Sequence, residues 1–435
     1  MVVDGGSLIL VDAVVPAAAQ IELIARKCNQ VLSQVVEAQE WEMALMDNAD
    51  PVALATELRP LLARNAAQTE RDRRLPEENI QALEAANLFN VMTPRRWGGY
   101  GAPLTTAIRT FAELGKGCGS SGWVAMIVNG VNWWASWLPD AGQEEILAEP
   151  YARLCAGGGA QPSRGRRVAG GVRFSGKFPF ASGCWHTSWG GLSVEIEDDA
   201  HKAVDAAIAF APILEVRIED TWYVAGMCGT GSNTLVADEL FVPDRRLLKL
   251  SNLLNGEHQG VKHKGELSDS YTWSTANALI GPAPILGIAQ AMLAEVIAGA
   301  GKRGITLTTY GRQADSPVAQ HRLAEAALNI QTAELHLINS AEQVQNFATA
   351  GKLMDYSIRA GIRGSIGYSV KVLREAVDIL ASIGGASGFA EASPLQRMWR
   401  DVNIASRHAL LATDPAFEIY GRALLGVEGN ITPLV

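Results

Sequence analysis

Apolar positions along the chain change their spacing twice. Residues 1–50 open with an Ala-rich apolar stretch and pass into an amphipathic pattern that predicts a helix around Ile21–Glu42. From Pro51 to about Pro150 apolar residues recur at helical spacing. LPEENIQALEAANLF places Ile80, Leu83 and Leu88 on one stripe, with Pro76 near its start and glutamates in its first turn. WGGYGAP (97–103) interrupts it, and TTAIRTFAELGKGCGSSGW then leads into VAMIVNGVNWWASWL. Near residue 151 the texture becomes short β-type runs separated by glycines and turns, from YARLCAGGG to TLVADELFVP. Beyond about Ser268 the helical period returns. It predicts helices at 273–300, 315–347, 353–383 and 394–412, with a break at Gly384, Gly385 and Gly388. Ser393–Pro394 is an N-cap and first-turn pair. The expected fold is α+β and mostly helical: an extension (1–50), a helical domain (51–150), a middle antiparallel β-barrel domain (151–267) and a helical bundle (268–435). No internal repeat or low-complexity tract is present.

Composition narrows the function. A 48% hydrophobic and 19% charged chain is ordinary for a globular protein. The net charge of −9 and the short basic clusters at 71–74 and 164–167 give nucleic-acid binding no support. No window approaches the roughly 18 uninterrupted apolar residues a membrane span requires, and Asp4 and Asp12 spoil a secretory signal. The five cysteines include no CxxC pair, which favours a reducing cytoplasm. Phosphate-loop and Rossmann patterns are missing, so a built-in NAD(P)H site is not expected; neither is a metal, since HExxH and His/carboxylate clusters are missing too. Eleven Trp and 43 Gly suit a protein with aromatic pockets and close backbone approach to a ligand.

Two places carry candidate chemistry. In FPFASGCWHTSW (178–189), period-two alternation puts Phe178, Phe180, Ser182, Cys184 and His186 on one strand face. Cys184 with His186 could be a nucleophile pair, but no Asp or Asn stands nearby to orient the imidazole. The plainer reading is a small buried thiol and a hydrogen-bonded wall histidine. In PLQRMWRDVNIASRHALL, Asp401, Ile404 and His408 would share a helix face, and Arg397 could pair with Asp401. Spacing alone leaves His408 as either a core or capping histidine or a functional one.

FPFASGCWHTSW, GMCGTGSNTLVADELFVP, SPLQRMWRD and RHALLATDPAFEIYGRALLG together resemble the acyl-CoA dehydrogenase fold, with its helical, β and four-helix-bundle domains. More closely, they resemble its oxygenase branch, the two-component flavin monooxygenases that hydroxylate aromatic compounds. The resemblance runs from about Pro51 to Val435. It implies a flavin wall formed by Phe180, Ala181, Ser182 and Gly183 with Gly158, where Phe180 packs on the isoalloxazine ring and Ser182 hydrogen-bonds to N5. It places His408 at the substrate as base or hydrogen-bond partner. It also implies reduced FMN or FAD from a separate NAD(P)H:flavin reductase, O2 as co-substrate, a C4a-hydroperoxide route, and a homotetramer.

Dehydrogenase chemistry is disfavoured because SRHALL carries no acid where the dehydrogenases place their base, and their RxxFG flavin-phosphate grip is missing after Arg303. A weaker grip suits a flavin that arrives reduced and leaves oxidised. The expected substrate subsite comprises Val131, Trp134, Gly157 and His408. The expected substrate is a phenolic, indolic or polycyclic aromatic. Val131 and Gly157 replace polar residues common in the branch, and the loss of those anchors points away from a simple phenol, towards an indole, a polycyclic or a compound presenting nitrogen or sulfur. N- or S-oxygenation, a flavin-retaining dehydrogenase or oxidase, and a non-catalytic flavin carrier are the competing readings.

Overall fold

The computed structural model describes residues 49–149, 152–159, 163–198, 200, 202–263, 265–427 and 430–435. The helix expected around Ile21–Glu42 lies outside them.

Helix α1 (Pro51–Asp72) starts where the Asp50 side chain accepts the Val52 amide at 2.9 Å and Pro51 fills the first turn. Then come α2 (Glu77–Ala85), α3 (Leu104–Gly117), α4 (Gly119–Ala135) and α5 (Asp140–Leu147). Helix α4 is apolar almost all round and nearly every residue on it is buried, the pattern of a central helix.

Strands β1 (Leu154–Gly157), β2 (Ser163–Val168), β3 (Gly171–Ala181), β4 (Trp189–Glu197), β5 (Ala203–Pro212), β6 (Arg217–Glu219), β7 (Asn233–Pro243) and β8 (Leu247–Lys249) form the middle sheet. Its hydrogen-bonded order is β6-β7-β3-β2-β4-β5-β8, with β1 beside β4. Two expectations need correction. The sheet is mixed, because β1 and β2 both run parallel to β4. Among the described residues its path is also open, ending at β6 and β8, so these strands form no closed barrel. Val172, Phe174, Phe178, Val194 and Leu235 fill its core.

Helices α6 (Leu250–Asn255), α7 (Trp273–Ile280), α8 (Pro282–Ala300), α9 (Pro317–Thr349), α10 (Tyr356–Gly384), α11 (Pro394–Ala405) and α12 (Thr413–Leu425) complete the chain. The single helix expected over 273–300 is assigned as two segments that meet at Gly281–Pro282, where proline has no amide to donate. Trp273–Ala300 is long and apolar enough to cross a membrane, but just over half of its most apolar window is buried within the protein. Its glycines explain the fit: a β-carbon on Gly287 would sit 1.9 Å from the Ala112 carbonyl oxygen, so α8 lies directly on α3. Residues Asp50–Val435 make one compact unit.

The helix expected over 394–412 ends early, at Ala405. Residues 406–412 turn, with the Leu411 amide donating to the His408 carbonyl at 2.8 Å, and α12 then returns along α10. His408 therefore leaves the helix face that carries Asp401.

Candidate active site

Strand β3 does not continue through FPFASGCWHTSW. Its pairing with β7 is irregular between Phe178 and Ala181, and Gly183 (φ +77°) turns the chain into a short 3-10 segment, Cys184–His186. The bulge breaks the expected alternation. Phe178 is buried in the sheet core, whereas Phe180 is 61% exposed, with φ +64° and its ring edge-on to Trp222 at 6.2 Å. A bulky residue in the left-handed region is strained, and such strain is commonly held at functional sites. Gly158 anchors the bulge, its amide donating to the Pro179 carbonyl at 2.9 Å. Gly157 lies so close beneath that a β-carbon there would be 2.7 Å from the Phe178 carbonyl oxygen. Ala181 is buried, and the Gly183 amide is taken by the Thr230 carbonyl at 2.7 Å.

Ser182 is buried and richly bonded. Its Oγ accepts from Trp123 Nε1 at 3.2 Å and lies 2.7 Å from Ser232 Oγ, which is 2.7 Å from Thr230 Oγ1. Thr230 Oγ1 donates to the Met227 carbonyl at 2.8 Å. The other side of the Trp123 indole meets His408 edge-on, with ring centroids 5.6 Å apart. One tryptophan of α4 thus joins the hydroxyl on the sheet to the imidazole after α11.

The His408 ring is open to water in the single chain, yet protein surrounds the recess that holds it. That surround, with a smaller push from the Arg363 guanidinium, lowers its pKa to about 4. Openness and depth pull in opposite directions here. Both causes oppose the imidazolium, so the shift is downward. His408 Nδ1 accepts the Leu410 amide at 3.3 Å, which puts the neutral ring's proton on Nε2. Arg363 is buried in α10. Its Nη2 donates to the Ala409 carbonyl at 3.2 Å, and its Nε and Nη1 have no partner among the described residues. Desolvation pulls its pKa down to about 10.

Further along α4, Val131 is buried, while Trp134 donates to Asn277 Oδ1 of α7 at 3.1 Å and tilts against Trp273 at 5.5 Å. Val131 and Trp134 are eight and eleven residues past Trp123, about 12 and 16 Å along the axis. They lie on the same helix, towards its far end.

The nucleophile pair does not form. Cys184 is buried beneath the Gly231 carbonyl at 3.4 Å, and desolvation pushes its thiol up to about 11, the opposite of what an attacking thiolate needs. His186 Nε2 is buried without a partner among the described residues, and its pKa falls to about 4, chiefly through desolvation. The expected Arg397–Asp401 ion pair is not made. Asp401 Oδ1 instead accepts the Met227 amide at 2.5 Å, and burial raises its pKa to about 6. It is the neighbouring Arg400 that pairs, with Glu70 at 2.5 Å. Asp401 thereby fastens α11 to the turn that ends the hydroxyl chain. Among the described residues no group of three or more His, Cys, Asp or Glu could hold a metal ion.

Sequence reasoning missed Trp123, Thr230, Ser232 and Arg363. The hydroxyls of GTGS were visible, but their partner lies 50 residues earlier. Arg363 reads as an ordinary helix arginine in IRAGIRGS.

A flavin ring requires an apolar face and one directional polar atom, and the site offers both: the outward-standing ring of Phe180 and the buried Ser182 Oγ beside it. The residues present fit the group.

Known proteins share this fold. The acyl-CoA dehydrogenase N-terminal domain family matches residues 53–158, and the acyl-CoA dehydrogenase C-terminal domain family matches 279–413. The flavin-dependent monooxygenase oxygenase subunit HsaA of Mycobacterium tuberculosis (strain ATCC 25618 / H37Rv) is 30% identical over 89% of this chain and 98% of its own length. The oxygenase component of the FADH(2)-dependent resorcinol hydroxylase of Rhizobium sp. (strain MTP-10005) is 31% identical over 85% and 92%. The structure of XiaF from Streptomyces sp. in complex with FADH2 and glycerol superposes with a TM-score of 0.83 at 30% identity, covering 93% of this chain and 99% of XiaF. The chain belongs to the oxygenase subunits of the flavin-dependent monooxygenases, built on the acyl-CoA dehydrogenase fold.

Proposed function

We propose that this oxygenase takes reduced FMN or FAD from a separate NAD(P)H:flavin reductase and, with O2, hydroxylates a flat aromatic substrate held beside Trp123 and His408. The observation that carries the reading is the position of Trp123, bonded to Ser182 through its indole nitrogen and touching His408 with its ring. It puts the hydroxyl assigned to the flavin and the imidazole assigned to the substrate on two sides of one side chain. When bound, reduced flavin activates O2 and supplies the oxygen atom.

The protein's own residues do the rest. Phe180 stacks on the ring, and Ser182 holds its N5 edge. Trp123 and Phe180 keep water from the reacting face. His408, neutral because its pKa is depressed, presents Nε2–H to the polar atom of the substrate. The Arg363 charge behind it favours negative charge building on that atom, which strengthens the bond it accepts from Nε2–H. Val131 offers no hydrogen bond, which leaves His408 as the polar handle of the subsite and suits a large ring system with one hydroxyl or N–H. Asp401, the nearby acid, is committed to the Met227 amide and is not poised as a base for acyl-CoA oxidation.

Exposed apolar side chains on α9 (Leu328, Leu335) and α12 (Phe417, Leu424, Leu425) support association of copies, for which a homotetramer is the expected form.

The test is to mix the protein anaerobically with reduced FMN or FAD, add O2 with a set of phenols and indoles, and measure hydroxylated product against hydrogen peroxide. Coupled product formation supports the proposal. Peroxide alone with every substrate, or purified protein holding oxidised flavin that an acyl-CoA bleaches, refutes it.

A further inference from the structure

The chain of side chains behind Ser182 has a single direction, which donor counting fixes. A hydroxyl has one proton and two lone pairs, and an indole nitrogen only donates. Thr230 Oγ1 spends its proton on the Met227 carbonyl, an acceptor with none to give, at 2.8 Å. The 2.7 Å contact between Thr230 and Ser232 therefore uses the Ser232 proton. That leaves Ser232 as acceptor in its 2.7 Å contact with Ser182, so the Ser182 proton points to Ser232. Trp123 Nε1–H fills one Ser182 lone pair at 3.2 Å. All four side chains are buried, so water does not compete for these bonds. Ser182 Oγ is left with one lone pair and nothing to donate.

We infer that Thr230 and Ser232 hold Ser182 as a hydrogen-bond acceptor and so make this site select reduced flavin over oxidised flavin. The inference rests on the reading that Ser182 meets N5. Reduced flavin carries a hydrogen on N5, which the free lone pair accepts. Oxidised flavin presents a bare N5 lone pair, and two acceptors then face each other in a buried place where neither finds water. Trp123 occupies the other lone pair and so leaves Ser182 a single direction in which to accept. The chain's residues thus favour the incoming redox form and disfavour the spent one, which suits exchange with a separate reductase. Thr230 and Ser232 touch neither flavin nor substrate on this reading; they are positioning residues that act through Ser182.

The experiment measures dissociation constants for oxidised and photoreduced FMN and FAD by anaerobic ultrafiltration, together with the two-electron potential of the bound flavin. Ser232→Ala removes the acceptor of the Ser182 proton, which then turns to a bare N5. Thr230→Val lets the Ser232 proton swing back towards Ser182, with the same consequence. In both variants the preference for reduced flavin should fall on the order of tenfold, the scale of one hydrogen bond. The bound potential should drop by about 30 mV, the two-electron equivalent of that ratio. Circular dichroism confirms that each variant is folded, and the two variants alter packing differently, so a shared shift is not a folding artefact. Ser182→Ala separates the two levels of the argument. If it abolishes the preference while Ser232→Ala and Thr230→Val leave ratio and potential at wild-type values, the inference is overturned and the placement of Ser182 stands. If Ser182→Ala itself leaves the preference unchanged, Ser182 is not at N5, and the inference falls with that reading.

Discussion

Replacing His408 tests the substrate side of the site most directly. The neutral ring takes the Leu410 amide on Nδ1 and carries its proton on Nε2, so the contribution proposed for it is a donated hydrogen bond. Such a bond contributes about 0.5–1.5 kcal/mol to a neutral acceptor and about 1.5–3 kcal/mol to an anionic one. His408→Ala should therefore slow oxygen insertion by roughly ten- to a hundredfold. A general base would contribute about 10²–10⁴-fold, and acting as one would require the Leu410 bond to be given up. His408→Gln separates the two: its amide donates and should restore part of the rate, whereas no amide replaces a base. The pH profile adds a second reading. With a pKa of about 4, His408 is neutral near pH 7, and coupling should stay flat from pH 6 to 8. A histidine with the unperturbed value near 6.5 would show a limb there. The assay supplies saturating reduced flavin and reports product and hydrogen peroxide per O2 consumed. Equal coupling in wild type and His408→Ala, or a limb near pH 6.5 with no rescue by glutamine, would refute this role.

Other outcomes follow from the same geometry. Trp123→Phe keeps the ring beside His408 but deletes the donor to Ser182, and should weaken reduced-flavin binding several-fold with little change in substrate affinity, read by titration of each. Phe178→Ala empties a fully buried position of the sheet core and should cost about 3–5 kcal/mol in urea unfolding, whereas Phe180→Ala, at an exposed position, should cost far less. His258 is buried against Trp137 at 4.5 Å with its pKa pushed to about 3, chiefly by desolvation. The unfolded chain then takes this proton first, so stability should fall as pH drops below about 6.5 towards the folded value. His258→Phe should lessen that slope in melting temperatures recorded from pH 8 to 4, with His186 and His408 keeping their share; an unchanged slope would count against it.

Local chemistry made much of the architecture legible. The expected 315–347 and 353–383 helices are α9 (Pro317–Thr349) and α10 (Tyr356–Gly384), and Ser393 does cap α11, its hydroxyl accepting the Leu395 amide at 3.3 Å. Periodicity failed where tertiary demands decide. RHALLAT holds no Gly or Pro, so nothing in its pattern announces that α11 stops at Ala405 to let α12 return along α10. A strand's alternation cannot register the bulge that separates Phe178 from Phe180. Family resemblance, and not spacing, drew attention to Ser182 and His408. Trp123, which joins them, gave no signal because its role lies in two contacts made across the fold.

The backbone at Phe180 carries a consequence for engineering. Its φ of +64° is a setting that β-branched side chains scarcely tolerate and that glycine and asparagine accept. A saturation library at this codon would lose its valine, isoleucine and threonine clones to poor expression before any catalytic screen saw them. Restricting diversity to aromatics, asparagine and glycine, or first transplanting the whole 179–183 loop, keeps the screen reporting on the stacking proposed for this ring.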